Sequence, residues 1–122
     1  MARTAIPVTS LVGNAATADV AGTAIDQANG QVITVPRGCS PEELVLVVTH
    51  TASGAKNVTI NAGDFEGKGA LVTSFAAGNV TPVVKYIVPG SARFLQADGT
   101  IELDYESGAT GTVKALWLQR KV

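Results

Sequence analysis

The sequence predicts an all-β protein, an antiparallel sandwich or barrel with a jelly-roll-like arrangement of about eight strands. Val, Thr, Ala and Gly dominate the 122 residues, a composition that suits strands and turns. Turn-forming pairs such as Asn29-Gly30 and Asp98-Gly99 punctuate the chain at short intervals, with β-rich runs between them. Helical periodicity is scarce, because the one stretch with helix formers, 15–28, is interrupted by Gly and β-branched residues.

The beginning of the chain differs in composition from the rest. Ala, Thr and Gly abound there, and large apolar residues are sparse. We interpret residues 1–30 as an extended N-terminal arm and residues 31–122 as the β-sandwich domain. The arm is expected either to lie against its own sandwich or to reach across to another subunit.

Eight β-rich runs are expected to form the strands. They lie near residues 31–35, 43–50, 56–61, 70–75, 80–88, 92–96, 100–106 and 111–119. The run at 44–48 is apolar on both faces, and the run at 83–88 is similar. Such a strand is central in a sheet, or is covered on its second face by an arm or a neighbouring subunit. Pro82 lacks a backbone donor and favours an edge or a bulge for the second run.

Apolar and acidic residues alternate strictly in the run at 100–106. Side chains alternate between the two faces of a strand, so Ile101, Leu103 and Tyr105 are expected to face a core. The acidic residues between them are expected to face water.

The last run is expected to pair with this one as a neighbouring strand, with Asp104 opposite Lys114. That register matches opposite charges on one face and gathers the apolar residues, Trp117 among them, on the other. It also leaves Leu116 and Leu118 on the charged face, where an apolar patch is suited to docking a partner.

Size, charge and cysteine content limit the function classes. A chain of 122 residues is one domain's length and buries a stable core without disulfides or a metal. The net charge is −1 with no basic stripe, which argues against nucleic-acid binding. The longest apolar run has five residues, against the roughly 18 that a membrane-spanning helix needs. Without a hydrophobic leader or a partner for Cys39, we expect folding in a reducing cytoplasm.

The acidic row Glu102, Asp104 and Glu106 is the first candidate for chemistry. Three carboxylates on one strand face suggest a Ca²⁺ site, but such sites usually add carbonyl ligands from a shaped loop. A solvated strand face is therefore the better interpretation.

His50 is the second candidate, as a base for Ser53 or Cys39. No orienting signature surrounds any of the three residues. The sequence therefore predicts a protein that is not an enzyme and uses no cofactor, no metal and no small-molecule substrate.

Three stretches carry a resemblance to a known group of proteins. They are Pro-Glu-Glu-Leu-Val-Leu-Val-Val at 41–48, Asn-Val-Thr-Ile-Asn-Ala-Gly-Asp at 57–64 and Arg-Phe-Leu-Gln-Ala-Asp-Gly at 93–99. Together they make the chain resemble small virion structural proteins of tailed bacteriophages, and it is most similar to their head decoration, or cement, proteins. The likeness covers roughly residues 30–119 and is a pattern of strands and turns without a catalytic motif.

The resemblance implies a β-module on the capsid exterior that contacts several copies of the major capsid protein, often as a homotrimer at threefold positions. It implies a virion location after synthesis in the host cytoplasm, and an arm that reaches onto neighbours. It carries no specific contact residues. From the arm and the apolar patch we select Ile6, Val8, Leu11, Leu116 and Leu118 as candidate interface residues.

Two alternatives stay open. A tail or fibre accessory domain of the same virion would have a similar composition. A carbohydrate-binding β-sandwich module is a different class, although Trp117 and two Tyr residues are few and dispersed for an aromatic sugar platform.

Overall fold

A computed structural model describes residues 2–12, 14–64, 69–89 and 92–118 of the chain. Within these ranges the structure has ten strands and two short 3₁₀ helices, and none of its helices is long and apolar enough to cross a membrane. The strands are β1 (Thr4–Ala5), β2 (Val8–Leu11), β3 (Thr23–Ala24), β4 (Gln31–Thr34), β5 (Leu44–His50), β6 (Lys56–Ile60), β7 (Leu71–Phe75), β8 (Val83–Ile87), β9 (Thr100–Tyr105) and β10 (Gly111–Leu118). The 3₁₀ helices are Pro41–Glu43 and Ala92–Phe94.

The strands form two sheets that pack face to face. The first sheet has the order β1-β4-β9-β6-β7, and the second has the order β2-β10-β5-β8 with β3 also on β10. From β3 onward only the β6–β7 connection stays within a sheet, which gives the strand order of a jelly roll. The predicted all-β class is confirmed, as a sandwich and not a closed barrel. Both sheets are mixed, because β1 and β2 pair in parallel with β4 and β10.

The core lies between the inner faces of the two sheets. Ile101, Leu103 and Tyr105 of β9 are buried, as the alternating pattern predicts. They share the core with fully buried residues of β5 in the second sheet, Leu46 and Val48 among them. Burial of each such side chain stabilises the fold by roughly 1.5–3 kcal/mol.

The predicted pairing of β9 with β10 is wrong. β9 pairs with β4 and β6 in the first sheet, and β10 pairs with β5, β2 and β3 in the second, so Asp104 and Lys114 are not opposite each other. The connection at 106–110 crosses the sandwich, with Ala109 buried and a positive φ of 134° at Gly111. The inward assignment of Trp117 still holds, because it packs against the core. Alternation specifies the face of a strand but not its neighbour.

The predicted strand at 92–96 is also corrected. The chain there forms the 3₁₀ helix Ala92–Phe94, and Leu95 makes only an isolated bridge to Ile101. The turn places Phe94 in the core, and Leu95 accepts a backbone bond from Asp64. A single inward aromatic residue anchors this segment where a pleated run was expected.

The N-terminal segment lies against its own sandwich, which was one of the two alternatives for the arm. The backbone N–H of Thr4 donates to Gly30 at 3.1 Å and that of Ile6 donates to Val32 at 2.9 Å. Ile6 is buried in the core. β1 then extends the first sheet and β2 the second, so the segment bridges both sheets at one edge.

An ion pair holds the start of this segment on the first sheet. The Arg3 guanidinium donates to the Asp104 carboxylate at 2.7 Å and to the Leu103 carbonyl at 3.1 Å. A Cβ at Gly30, which has a φ of 75°, would lie 2.3 Å from Arg3 Nη1. Only glycine fits this position, because it supplies the conformation and the space at once.

Asp104 gives the fold a defined acid sensitivity. Its hydrogen bond from Arg3, supported by one from Asn61, holds the pKa of the Asp104 carboxyl below its ordinary value. A carboxyl with a lowered folded pKa stabilises the protein above its unfolded pKa of about 3.9, and that stabilisation is lost as pH falls through the folded pKa.

We therefore expect Asp104→Asn to be less stable than the wild type at pH 7 and to lose less further stability below about pH 4. Urea unfolding midpoints at a series of pH values measure this. Arg3→Ala is the control, because it should remove the same acid-dependent difference. Parallel loss of stability in the wild type and Asp104→Asn below about pH 4 would show that the pair contributes nothing.

A buried polar pair lies deeper under the same strands. The Tyr105 hydroxyl donates to Gln31 Oε1, and Gln31 Nε2 donates to the Ala24 carbonyl at 2.9 Å. Burial is the main cause that raises the pKa of Tyr105, with the nearby carboxylates of Asp104 and Asp26 adding to it. The phenol therefore stays protonated as the donor that the buried Gln31 oxygen requires.

Tyr105→Phe is expected to lower the free energy of unfolding by about 1–3 kcal/mol, since it leaves the buried amide oxygen of Gln31 without a donor. Chemical denaturation measures the loss. Tyr86→Phe is the matched control, because Tyr86 is 71% exposed. Equal stabilities for the two variants would contradict a structural role for the buried pair.

Candidate interaction surface

The candidate interface residues divide between the two faces of the second sheet. Leu11, Leu116 and Leu118 lie on the outer face, where Leu11 and Leu118 are direct partners of the β2–β10 pairing. Leu118 is 48% exposed, and the other two are half-buried. The structure thus brings together three of the five predicted residues.

Ile6 and Val8 lie on the other side. Ile6 is a core residue, and Val8 faces inward opposite Ala115 and packs against the core. Neither belongs to the outer surface of the folded chain. The spacing of Val8 and Leu11 in the sequence indicates this division between faces, because residues three apart face opposite sides of a strand.

The outer face of the second sheet continues as an apolar surface beyond these leucines. Val45 of β5 lies opposite Leu116, and Val47 lies opposite Tyr86 of β8. Val47 is only 5% exposed, whereas Tyr86 is 71% exposed. We call this surface the outer strip; its members are Leu11, Val45, Val84, Tyr86, Val88, Leu116 and Leu118.

The sequence contained a partial signal for the outer strip. The runs at 44–48 and 83–88 are apolar on both faces, which predicts a covered or central strand. β5 is internal, and β8 is at the edge of its sheet, a position that Pro82 favours. The five sequence candidates do not include the exposed apolar side chains of β8, because their exposure depends on the position of the strand in the sheet.

The segment between β2 and β3 returns across the same side of the molecule. Lys114 on the outer face donates to the Asp19 carboxylate at 2.6 Å and to the Val20 carbonyl at 3.4 Å. Farther along, Gly22 lies so close to Thr112 that a Cβ would be 2.6 Å from its side chain. The lysine that was expected to face Asp104 is thus neutralised by this segment, beside the apolar residues of the strip.

The outer face of the first sheet is mostly polar instead. Arg3 is within 4 Å of both Glu102 and Asp104, and Asn61 donates to Asp104 at 2.8 Å. A groove of about 400 Å³ runs along this face; its lining is Asn57, Thr59, Val72, Asp104, Tyr105 and Glu106. Among the residues that the structure describes, no three His, Cys, Asp or Glu side chains are grouped to hold a metal ion. Glu102 and Asp104 are paired with Arg3 and Asn61, whereas Glu106 accepts the Asn57 N–H at 3.0 Å.

A second groove, of about 510 Å³, lies at one end of the sandwich. Its lining is Thr51, Ala52, Ser53, Gly54, Lys56, Asn79, Gly108 and Thr110. Hydroxyl, amide and ammonium groups line it, and none of these described lining residues is aromatic. Of the two grooves that the described residues line, this one is closer to what a carbohydrate site requires.

His50 is not paired with either candidate nucleophile. Its ring is fully buried, with Nδ1 3.0 Å from the Ala76 carbonyl and Nε2 without a hydrogen-bond partner. Its centroid lies 5.8 Å from that of Phe75. His50 is therefore a core residue whose Nδ1–H donates to a carbonyl.

The Cys39 thiol is not activated either. Burial raises its pKa, and the nearby Glu43 carboxylate raises it further.

Comparison of this chain with family models, with curated proteins and with solved structures gives no match. The two outer faces and the resemblance in the sequence stretches are therefore the observations that bear on function.

Proposed function

We propose that this chain is a non-catalytic virion structural protein that decorates and stabilises the exterior of a bacteriophage capsid. In this proposal it binds the lattice of the major capsid protein through the outer strip. The observation that supports it most is the contrast between the two sheets. One outer face is mostly polar and internally paired, while the other exposes Tyr86, Leu118 and their apolar neighbours.

An exposed apolar surface on a folded domain suits protein binding. Removing apolar area from water contributes about 25 cal/mol per Å², and contiguous exposed patches commonly mark interaction sites. The outer strip is built on regular strands of the sandwich, so it presents this surface without prior ordering. The resemblance to head decoration proteins supplies the partner, because in such proteins a β-module contacts several capsid subunits.

Binding to a repeating lattice suits a protein whose individual contacts are modest. A repeating shell offers many identical sites, and an oligomer that engages several of them gains avidity without any new contact. A protein that binds only the assembled shell stabilises it by mass action. The homotrimer at threefold positions that the resemblance implies is part of this proposal.

The direct test mixes the purified protein with expanded capsids that lack it and counts bound copies by cryo-electron microscopy. We expect stoichiometric occupancy of symmetry-related sites, and Leu118→Asp is expected to lower affinity by about 10-fold or more, because it places a charge in the apolar contact.

Val72→Asp is the matched control. Val72 is 57% exposed on the outer face of the first sheet, so the same substitution there should leave capsid binding unchanged. Absence of ordered binding by the wild type, or equal losses from the two variants, would reject the proposal. Binding to tails but not to heads would favour the accessory-domain alternative.

Carbohydrate binding is the second candidate, and the hydroxyl-lined groove near Lys56 is the observation that favours it. A glycan array measures it. The candidate predicts a hit that Thr110→Val weakens and that Leu118→Asp leaves intact; an array without any hit would dismiss it.

A further inference from the structure

β8 presents a free edge of the second sheet. In the described part of the chain its one strand neighbour is β5. The Thr51 N–H donates to the Thr110 carbonyl on the β10 side. Backbone groups alternate in direction along a strand, so those of His50, Val48 and Leu46 point toward β8.

This alternation determines which groups of β8 are free. His50, Val48 and Leu46 lie opposite Val83, Lys85 and Ile87, so these three residues of β8 form the ladder with β5. The backbone N–H and C=O of Val84 and Tyr86 therefore point away from the sheet. Val88 comes next in the same alternation, and Pro89 after it favours an extended conformation.

The residues at this edge form a sequence that is symmetric about Tyr86. Val84 and Val88 lie two positions before and after it, and the side chains of all three are exposed. In an antiparallel twofold pairing centred on Tyr86, each Tyr86 lies opposite its copy. Each Val84 then lies opposite a Val88. β-Branched and aromatic residues are favourable cross-strand partners.

We propose that β8 pairs with β8 of a second copy of this chain, antiparallel and centred on Tyr86, so that the two second sheets become one continuous sheet. The same surface meets itself across a twofold axis, as in an isologous contact. This inference does not rest on capsid binding. The contact is separate from a threefold contact, and on a shell it would connect neighbouring trimers.

The position of Lys85 and the two prolines that flank the edge are compatible with this register. A lysine that points inward at an edge often prevents pairing, but Lys85 would lie opposite Ile87 of the second copy and not opposite another lysine. Its ammonium already donates to the Ser74 carbonyl at 2.7 Å and lies 5.1 Å from the centre of the Phe75 ring. Pro82 and Pro89 bracket the pairing stretch. A contact this short buries less than the roughly 1,200 Å² of a standard interface, so we expect reversible association.

Disulfide trapping tests the contact and its register. All variants carry Cys39→Ser, which removes the native thiol. Paired residues in such a ladder have Cα atoms about 5.5 Å apart, within the range of a disulfide. Tyr86→Cys is therefore expected to form a covalent dimer on mild oxidation at about 0.1–1 mM protein, at least about tenfold faster than Leu118→Cys, an exposed position away from the edge.

The valines report the register. Two copies of Val84→Cys are offset by four residues, roughly 13 Å, and should not crosslink with each other. A mixture of Val84→Cys with Val88→Cys should crosslink. Rapid crosslinking of Val84→Cys alone would overturn the register, and equal rates for Tyr86→Cys and Leu118→Cys would overturn the contact.

Two single proline substitutions test the contact independently of cysteine crosslinking. Val84→Pro removes an N–H that points to the free edge, whereas Lys85→Pro removes one from the ladder with β5. We expect Val84→Pro to abolish concentration-dependent association in sedimentation experiments while remaining folded, and Lys85→Pro to lower the unfolding midpoint. Association of Val84→Pro equal to that of the wild type would overturn the proposal.

Discussion

The rest of the structure depends on the packing of two sheets, each with one apolar face, against each other. Leu46 and Val48 from one sheet and Ile101 and Leu103 from the other are fully buried. From β3 onward, all connections but one pass between the sheets, so neither sheet is complete without the other. The contacts that close the core are therefore non-local, which makes the sandwich one cooperative unit.

The N-terminal segment completes this packing at one edge. Ile6 fills a position in the core while the strands on either side of it extend different sheets. Arg3 ties the segment to Asp104, and the turn at Gly30 leaves room for that pair. A region with few large apolar residues is thus held by one buried side chain, one ion pair and backbone ladders.

The functional proposals follow from what this packing leaves outside. The outer face of the first sheet is satisfied by its own ion pairs and amides, whereas the second exposes the outer strip and the free edge of β8. The strip offers side chains to a partner, and the edge offers backbone groups. The two overlap at Val84, Tyr86 and Val88, which belong to the strip and also lie at the free edge.

The sequence alone determined the all-β class, most strand positions and the facing of individual residues. Period-two alternation places Ile101, Leu103 and Tyr105 inside, because a strand that buries one face leaves the alternate residues, here acidic, on its other face. Turn-forming residues mark where most strands end, because they act locally.

Only the tertiary structure decided which strands are neighbours. Asp104 and Lys114 are well suited to face each other, but the chain crosses the core between them, and each binds an N-terminal residue instead. The same arrangement of strands places Ile6 in the core and leaves Tyr86 exposed at an edge. Alternation is a property of one strand, whereas pairing and exposure are decided by the burial of the whole inner surface, to which distant residues contribute together.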